Sequence, residues 1–185
     1  MKTIKIFLSA ILLVAASAIT HAQTVTIPVD SIPSAFKTSL NKMLDGYMRI
    51  ENALMKGNPS EAGAAASELD KITATVNVTG LTAAQLKTFK KQAEKIQHNA
   101  QHIRDNATDY DHQCEHFDYL TDSFYSLLKY FRFNTTTFYY NYTADGNAGN
   151  SAHWLTDKST LENPYFKGAK RQVGDKQVAV LQPKS

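Results

Sequence analysis

The stretch from Asp109 to Phe131, DYDHQCEHFDYLTDSFYSLLKYF, constrains the fold more than any other. It holds seven aromatic residues and neither glycine nor proline. Tyr110, Gln113, Phe117, Leu120, Phe124, Leu127 and Phe131 follow one another at alternating steps of three and four. Residues so spaced share one face of a helix, and the seven-residue repeat is the seam of a helix in a bundle. Such a helix needs other apolar faces against it.

The preceding chain supplies them. A first helix runs to about Lys56, with Phe36, Leu40, Met43, Tyr47, Ile50 and Leu54 on one face. Ser31 or Ser34 is placed to cap it, and Pro33 is tolerated in a first turn. Gly57 and Asn58 stop it. A second helix begins at Pro59 and Ser60, and its seam is Ala62, Ala65, Leu69, Ile72 and Val76. Its many alanines predict a close approach to a neighbour. Thr82, with Gln85 three residues on, marks a capping box for a third helix. The seam there is Leu86, Phe89, Ala93, Ile96, Ala100, Ile103 and Ala107. The break before the fourth helix, near Thr108, is weakly signalled. The expected fold is mainly α: an antiparallel four-helix bundle over 35–131.

An extended lead-in, 23–34, precedes the bundle. Before that, 1–22 has Lys2 and Lys5, an apolar run from Ile6 to Ala18, and the small-residue end Thr20-His21-Ala22. These are the parts of a secretory signal peptide, which predicts export and, in a Gram-negative cell, the periplasm. No later stretch is apolar enough for a membrane span. Removing the leader takes two lysines from the 20 basic residues and leaves them one ahead of the 17 acidic ones. A near-neutral chain offers no electrostatic case for nucleic acid or an anionic membrane. Cys114 is the single cysteine, so no intrachain disulfide forms, and packing has to supply the stability.

After Phe131 the character changes. TFYYNY at Thr137–Tyr142 reads as a strand, DGNAGNS at Asp145–Ser151 as a turn, and AHWLT at Ala152–Thr156 as the returning strand. Gln177–Leu181 is a last short strand candidate. A lone hairpin is marginal in water, so the tail over 132–185 is expected to fold back on the bundle as part of the same domain. Trp154, Tyr165 and Phe166 are its candidate anchors.

The tail run from Tyr139 to Asp175, with Trp154-Leu155 and Asn163-Pro164-Tyr165-Phe166 as its most specific pieces, resembles the end of a bacterial exported helical family of unknown function. The pattern Asp111-His112-Gln113, His116-Phe117 and Leu120 is similar too. Domains of that family also occur attached to heavy-metal efflux adaptor subunits, so the resemblance implies a role with copper-like ions. Its members carry Cys-Pro-Met, then a later Met and Cys-Gly. Here the corresponding positions are Thr143, Ala144 and Asp145, then Lys170 and Val173. Thr143, Asp145, Lys170 and Val173 thus stand where soft sulfur ligands would select Cu(I).

Two histidine pairs at helical spacing remain. His98 and His102 sit outside the seam of the third helix and read as a solvated face. His112 and His116 lie at one edge of the aromatic stripe, and His153 beside Trp154 is placed either to approach the fourth helix or to take a partly buried structural role. They either pack against the tail or bind Zn(II) or Cu(II) weakly. Cys114 is either a small buried hydrophobe or a thiol for an intermolecular disulfide. With no phosphate loop and no nucleophile motif, the expected function is non-catalytic. It is an exported module that binds another envelope protein or its own copy, without a cofactor. The alternative is a periplasmic metal-binding protein that uses histidines in place of sulfur.

Overall fold

The computed structural model describes residues 32–147, 149–167 and 174–184. The expected signal peptide at 1–22, most of the expected lead-in, Lys170 and Val173 lie outside them. Four helices precede three strands: α1 (Ser34–Met55), α2 (Pro59–Ala74), α3 (Ala83–Asp105), α4 (Tyr110–Phe131), β1 (Phe138–Asn147), β2 (Asn150–Thr156) and β3 (Lys176–Leu181).

Local chemistry sets most helix ends. Thr82 and Gln85 form the expected capping box, each side chain accepting from the other's backbone N–H. Asp109 caps α4 by accepting from His112 N–H at 3.1 Å. Asn58, expected only as a stop for α1, also starts α2 by accepting from Glu61 N–H. Such caps contribute about 1 kcal/mol each. At α1 the expectation fails for Ser34, which lies inside the helix. Pro33 takes the cap position without a side-chain bond, its fixed φ being compatible with helix entry.

The α4 seam is buried along its whole length, Gln113 included. Gln113 Nε2 donates to the carbonyls of Pro59 and Ile103 at 2.9 and 2.8 Å, tying α4 to the starts and ends of its neighbours. The six seam residues of α1 are fully buried against it. Tyr47 packs on Phe117 and Phe124 at 5.0 Å each, and Phe36 on Phe131 at 5.1 Å. The alanine-rich α2 does allow close approach: a Cβ on Gly63 would sit 2.9 Å from Cβ of Ala107. One α3 seam position shifts. Gln85 is buried and Leu86 only half-buried, because the capping box turns Gln85 back under the helix start.

The tail forms a three-stranded antiparallel sheet of order β2-β1-β3, rather than a hairpin with a trailing end. The expected turn is also shorter: the strands run to Asn147 and restart at Asn150, with a register shift between Thr143 and Asn147. Trp154 is fully buried, with Asn163, Pro164 and Tyr165 also buried and Phe166 half-exposed. Asn163 organises the segment after β2, accepting from Tyr165 N–H and donating to the Asp175 carboxylate. Tyr165 O–H donates to the His153 carbonyl, and Tyr110 O–H reaches the Pro164 carbonyl at 2.7 Å. A buried chain of bonds locks sheet to bundle. Leu155 N–H donates to the Tyr47 hydroxyl at 3.0 Å, which pairs with Thr121 Oγ1 at 2.8 Å. Thr121 spends its own proton on the Phe117 carbonyl, so Tyr47 is the donor to Thr121.

Candidate metal centre

The short turn between α3 and α4 folds the chain back on itself and brings the two histidine pairs together. Ligand-capable atoms of His102, His112 and His116 all lie within 4.8 Å of one another. A triangle of that size has its centre at most about 2.8 Å from each nitrogen, against Zn–N bonds of about 2.0–2.1 Å, so rings need close in by only about 0.7 Å. The rings of His102 and His116 stack at 4.1 Å, and His112 lies 4.7 Å from His116 and 5.9 Å from His102. His98 joins from the other end, 4.6 Å from His102 and 6.2 Å from His116.

This corrects the expectation for His102, while His98 is exposed as expected. His98 and His102 point away from the apolar seam, but the edge they occupy faces α4. It also changes the expected partner of His112 and His116. The third converging nitrogen belongs to His102, because consecutive helices joined by a short turn align these side chains. His153 is held elsewhere. Its backbone N–H donates to Asp118 Oδ1 at 2.8 Å, and its ring stacks on Tyr140 at 5.0 Å.

His116 is the buried member of the cluster, and its neighbours fix the state of its ring. Its Nδ1 lies 2.8 Å from Asn99 Oδ1, while Asn99 Nδ2 donates to the Lys95 carbonyl at 2.8 Å. The amide is thereby fixed with oxygen toward the ring, so Nδ1 carries the proton and Nε2 keeps its lone pair. Burial, reinforced by the neighbouring His102, His112 and His98, lowers the His116 pKa to about 4. A neutral imidazole is the form that binds a metal. Asn99 carried no signal in the sequence beyond its place one residue after His98.

The other candidates are less suited to metal. Thr143 is fully buried and Asp145 exposed. Cys114, 2% exposed, shares a depression of about 300 Å³ with Asp145 and Tyr165, and burial pushes its thiol up to about 12. It is therefore a protonated, buried group, in line with the apolar reading.

A protein family described as "Protein of unknown function (DUF3347)" matches residues 43–136, half of the chain, and the match includes all four histidines. It ends before β1 and so leaves the tail motifs outside. No curated protein and no solved structure matches the chain.

Proposed function

The chain belongs to the DUF3347 family, whose function is unknown, and we propose that it is a non-catalytic binding protein for a divalent transition-metal ion. The observation that carries this is the convergence of His102, His112 and His116. Three imidazoles suit Zn(II) or Cu(II), and the absence of thiolate or thioether at Thr143 and Asp145 argues against Cu(I). Asn99 supports the reading, since metal-binding histidines typically donate their other ring nitrogen to a fixed acceptor. The leader at 1–22 makes the periplasm the compartment in which it would work, and the family resemblance of the tail makes heavy-metal handling the context.

The test is metal analysis and competition titration of the mature chain, prepared without a histidine tag. About one equivalent of Zn(II) or Cu(II) is expected, lost on His102→Ala or His116→Ala and held more weakly on His112→Ala. A wild type that takes up neither ion would refute the proposal. The interaction-module reading has one observation in its favour: β3 is an edge strand with Val178 and Val180 about half exposed. Pairing with a second copy along that edge would show as a dimer in sedimentation, which Val180→Lys would abolish.

A further inference from the structure

The four histidines are arranged as a parallelogram. Its edges are His98–His102 at 4.6 Å, His98–His116 at 6.2 Å, His112–His116 at 4.7 Å and His102–His112 at 5.9 Å. The short diagonal is the stacked pair His102–His116 at 4.1 Å. Opposite edges match because His98 and His116, and His102 and His112, lie at equal distances along the chain from the turn between α3 and α4. The ligand atoms that lie within 4.8 Å of one another belong to His102, His112 and His116 and not to His98, and the edges allow the rings of His98 and His112 to stand up to roughly 10 Å apart, whereas metal–nitrogen bonds of about 2 Å hold two ring centres at most about 6.5 Å apart. One ion therefore takes His112 or His98 together with the central pair, not both.

The two ends differ in their access. A groove of about 650 Å³ runs between α3, α4 and β1, and both His98 and His116 line it, with Asn99, Tyr119 and Asp122. His102 and His112 do not line it. His98 is exposed, and the other three are partly or largely buried.

We propose that the cluster is two overlapping three-histidine sites sharing His102 and His116, with His98–His102–His116 the entry site through which Zn(II) or Cu(II) reaches His102–His112–His116 from the groove. An ion moves between them by exchanging one imidazole, His98 for His112, while two bonds are kept. No step leaves it with fewer than two protein ligands, and no redox change is required. The inference rests on the metal-binding reading and adds a route to it: the ion enters and leaves past His98.

The experiment is stopped-flow loading of the mature, untagged chain with Zn(II), and its release to a chromophoric zinc chelator, in wild type, His98→Ala and His112→Ala. His98→Ala is expected to slow loading and release together, each by about tenfold or more, so that their ratio moves less than either. His112→Ala is expected to weaken binding by about tenfold or more through faster release. His98→Asn serves as a second variant, and unchanged unfolding midpoints establish that both His98 variants are folded. Wild-type exchange rates in both His98 variants would overturn the route while leaving the metal site standing. Equal weakening by His98→Ala and His112→Ala without slower exchange would overturn it too, since it would mean one site with four ligands. A wild type that binds no Zn(II) or Cu(II) would overturn the metal reading itself and the route with it.

Discussion

Tyr47→Phe tests how the tail is fastened to the bundle. Tyr47 is fully buried, and the substitution keeps the ring that packs on Phe117 and Phe124. What it removes is one oxygen, which accepts from Leu155 N–H at 3.0 Å and donates to Thr121 Oγ1 at 2.8 Å. Burial holds this phenol well above its ordinary pKa, so it stays protonated and able to donate. Without it the Leu155 N–H is left buried and unpaired, which costs about 1–3 kcal/mol. Thr121 loses an incoming bond but keeps its own bond to the Phe117 carbonyl. The expected loss is about 2–3 kcal/mol in urea unfolding, monitored by Trp154 fluorescence. Amide exchange at Leu155 should accelerate more than exchange in α2. In a Thr121→Val background the cost of Tyr47→Phe should fall, because the two groups share one network. A loss below about 0.5 kcal/mol with unchanged Leu155 exchange would mean that this bond does not fasten the sheet, since substitutions away from structural features stay within that range.

Three further outcomes are expected. Phe124→Ala should cost about 3–5 kcal/mol, because Phe124 is fully buried against Tyr47; a melt within about 0.5 kcal/mol of wild type would remove it from the core. Trp154, the single tryptophan and fully buried, should emit at blue-shifted wavelengths, and a water-like spectrum in the native protein would contradict its place in the structure. Glu51 is 1% exposed and its oxygens lack a partner in good geometry, Thr156 nearby notwithstanding; burial raises its carboxyl well above the usual range. The folded state therefore binds the extra proton, and Glu51 makes stability fall as pH rises above about 4.3, the reference Glu pKa. Glu51→Gln should flatten that dependence and raise Tm at pH 7 by roughly 2–4 °C or more, the effect of about 1 kcal/mol in a chain of this size; a lower Tm at pH 7 would refute it.

The helices were legible because they are periodic. The steps of three and four in α1 and α4 name their buried faces directly, and the Thr82–Gln85 box and Asp109 mark two starts. The sheet was legible only in part. Thr137–Tyr142 and Ala152–Thr156 read as strands from their composition, but β3 has no sequence feature that says it pairs with β1 rather than trailing off. His112 and His116 were legible as a pair, but their convergence with His102 was not, for a specific reason. The solvated-face reading of His98 and His102 treated α3 as having one neighbour-facing stripe, the apolar seam. A bundle helix has two neighbours, and the polar edge of α3 faces α4. The signal was present: pairs with spacing i, i+4 stand at equal distances either side of a tight turn, which sets His102 across from His112 and His98 across from His116. His153 does approach α4 through its bond to Asp118, but neighbours on a strand point to opposite faces, and its ring stacks on Tyr140 rather than joining His112 and His116.

The central claim is tested most directly by Zn(II) competition titration of the mature, untagged chain, with His116→Ala and His153→Ala measured beside it. The account predicts about one bound ion in the wild type, retained in His153→Ala and lost in His116→Ala. Binding should also weaken as pH falls, because a protonated imidazole cannot ligate. Zn(II) binding that survives His116→Ala, or disappears in His153→Ala, would contradict the account.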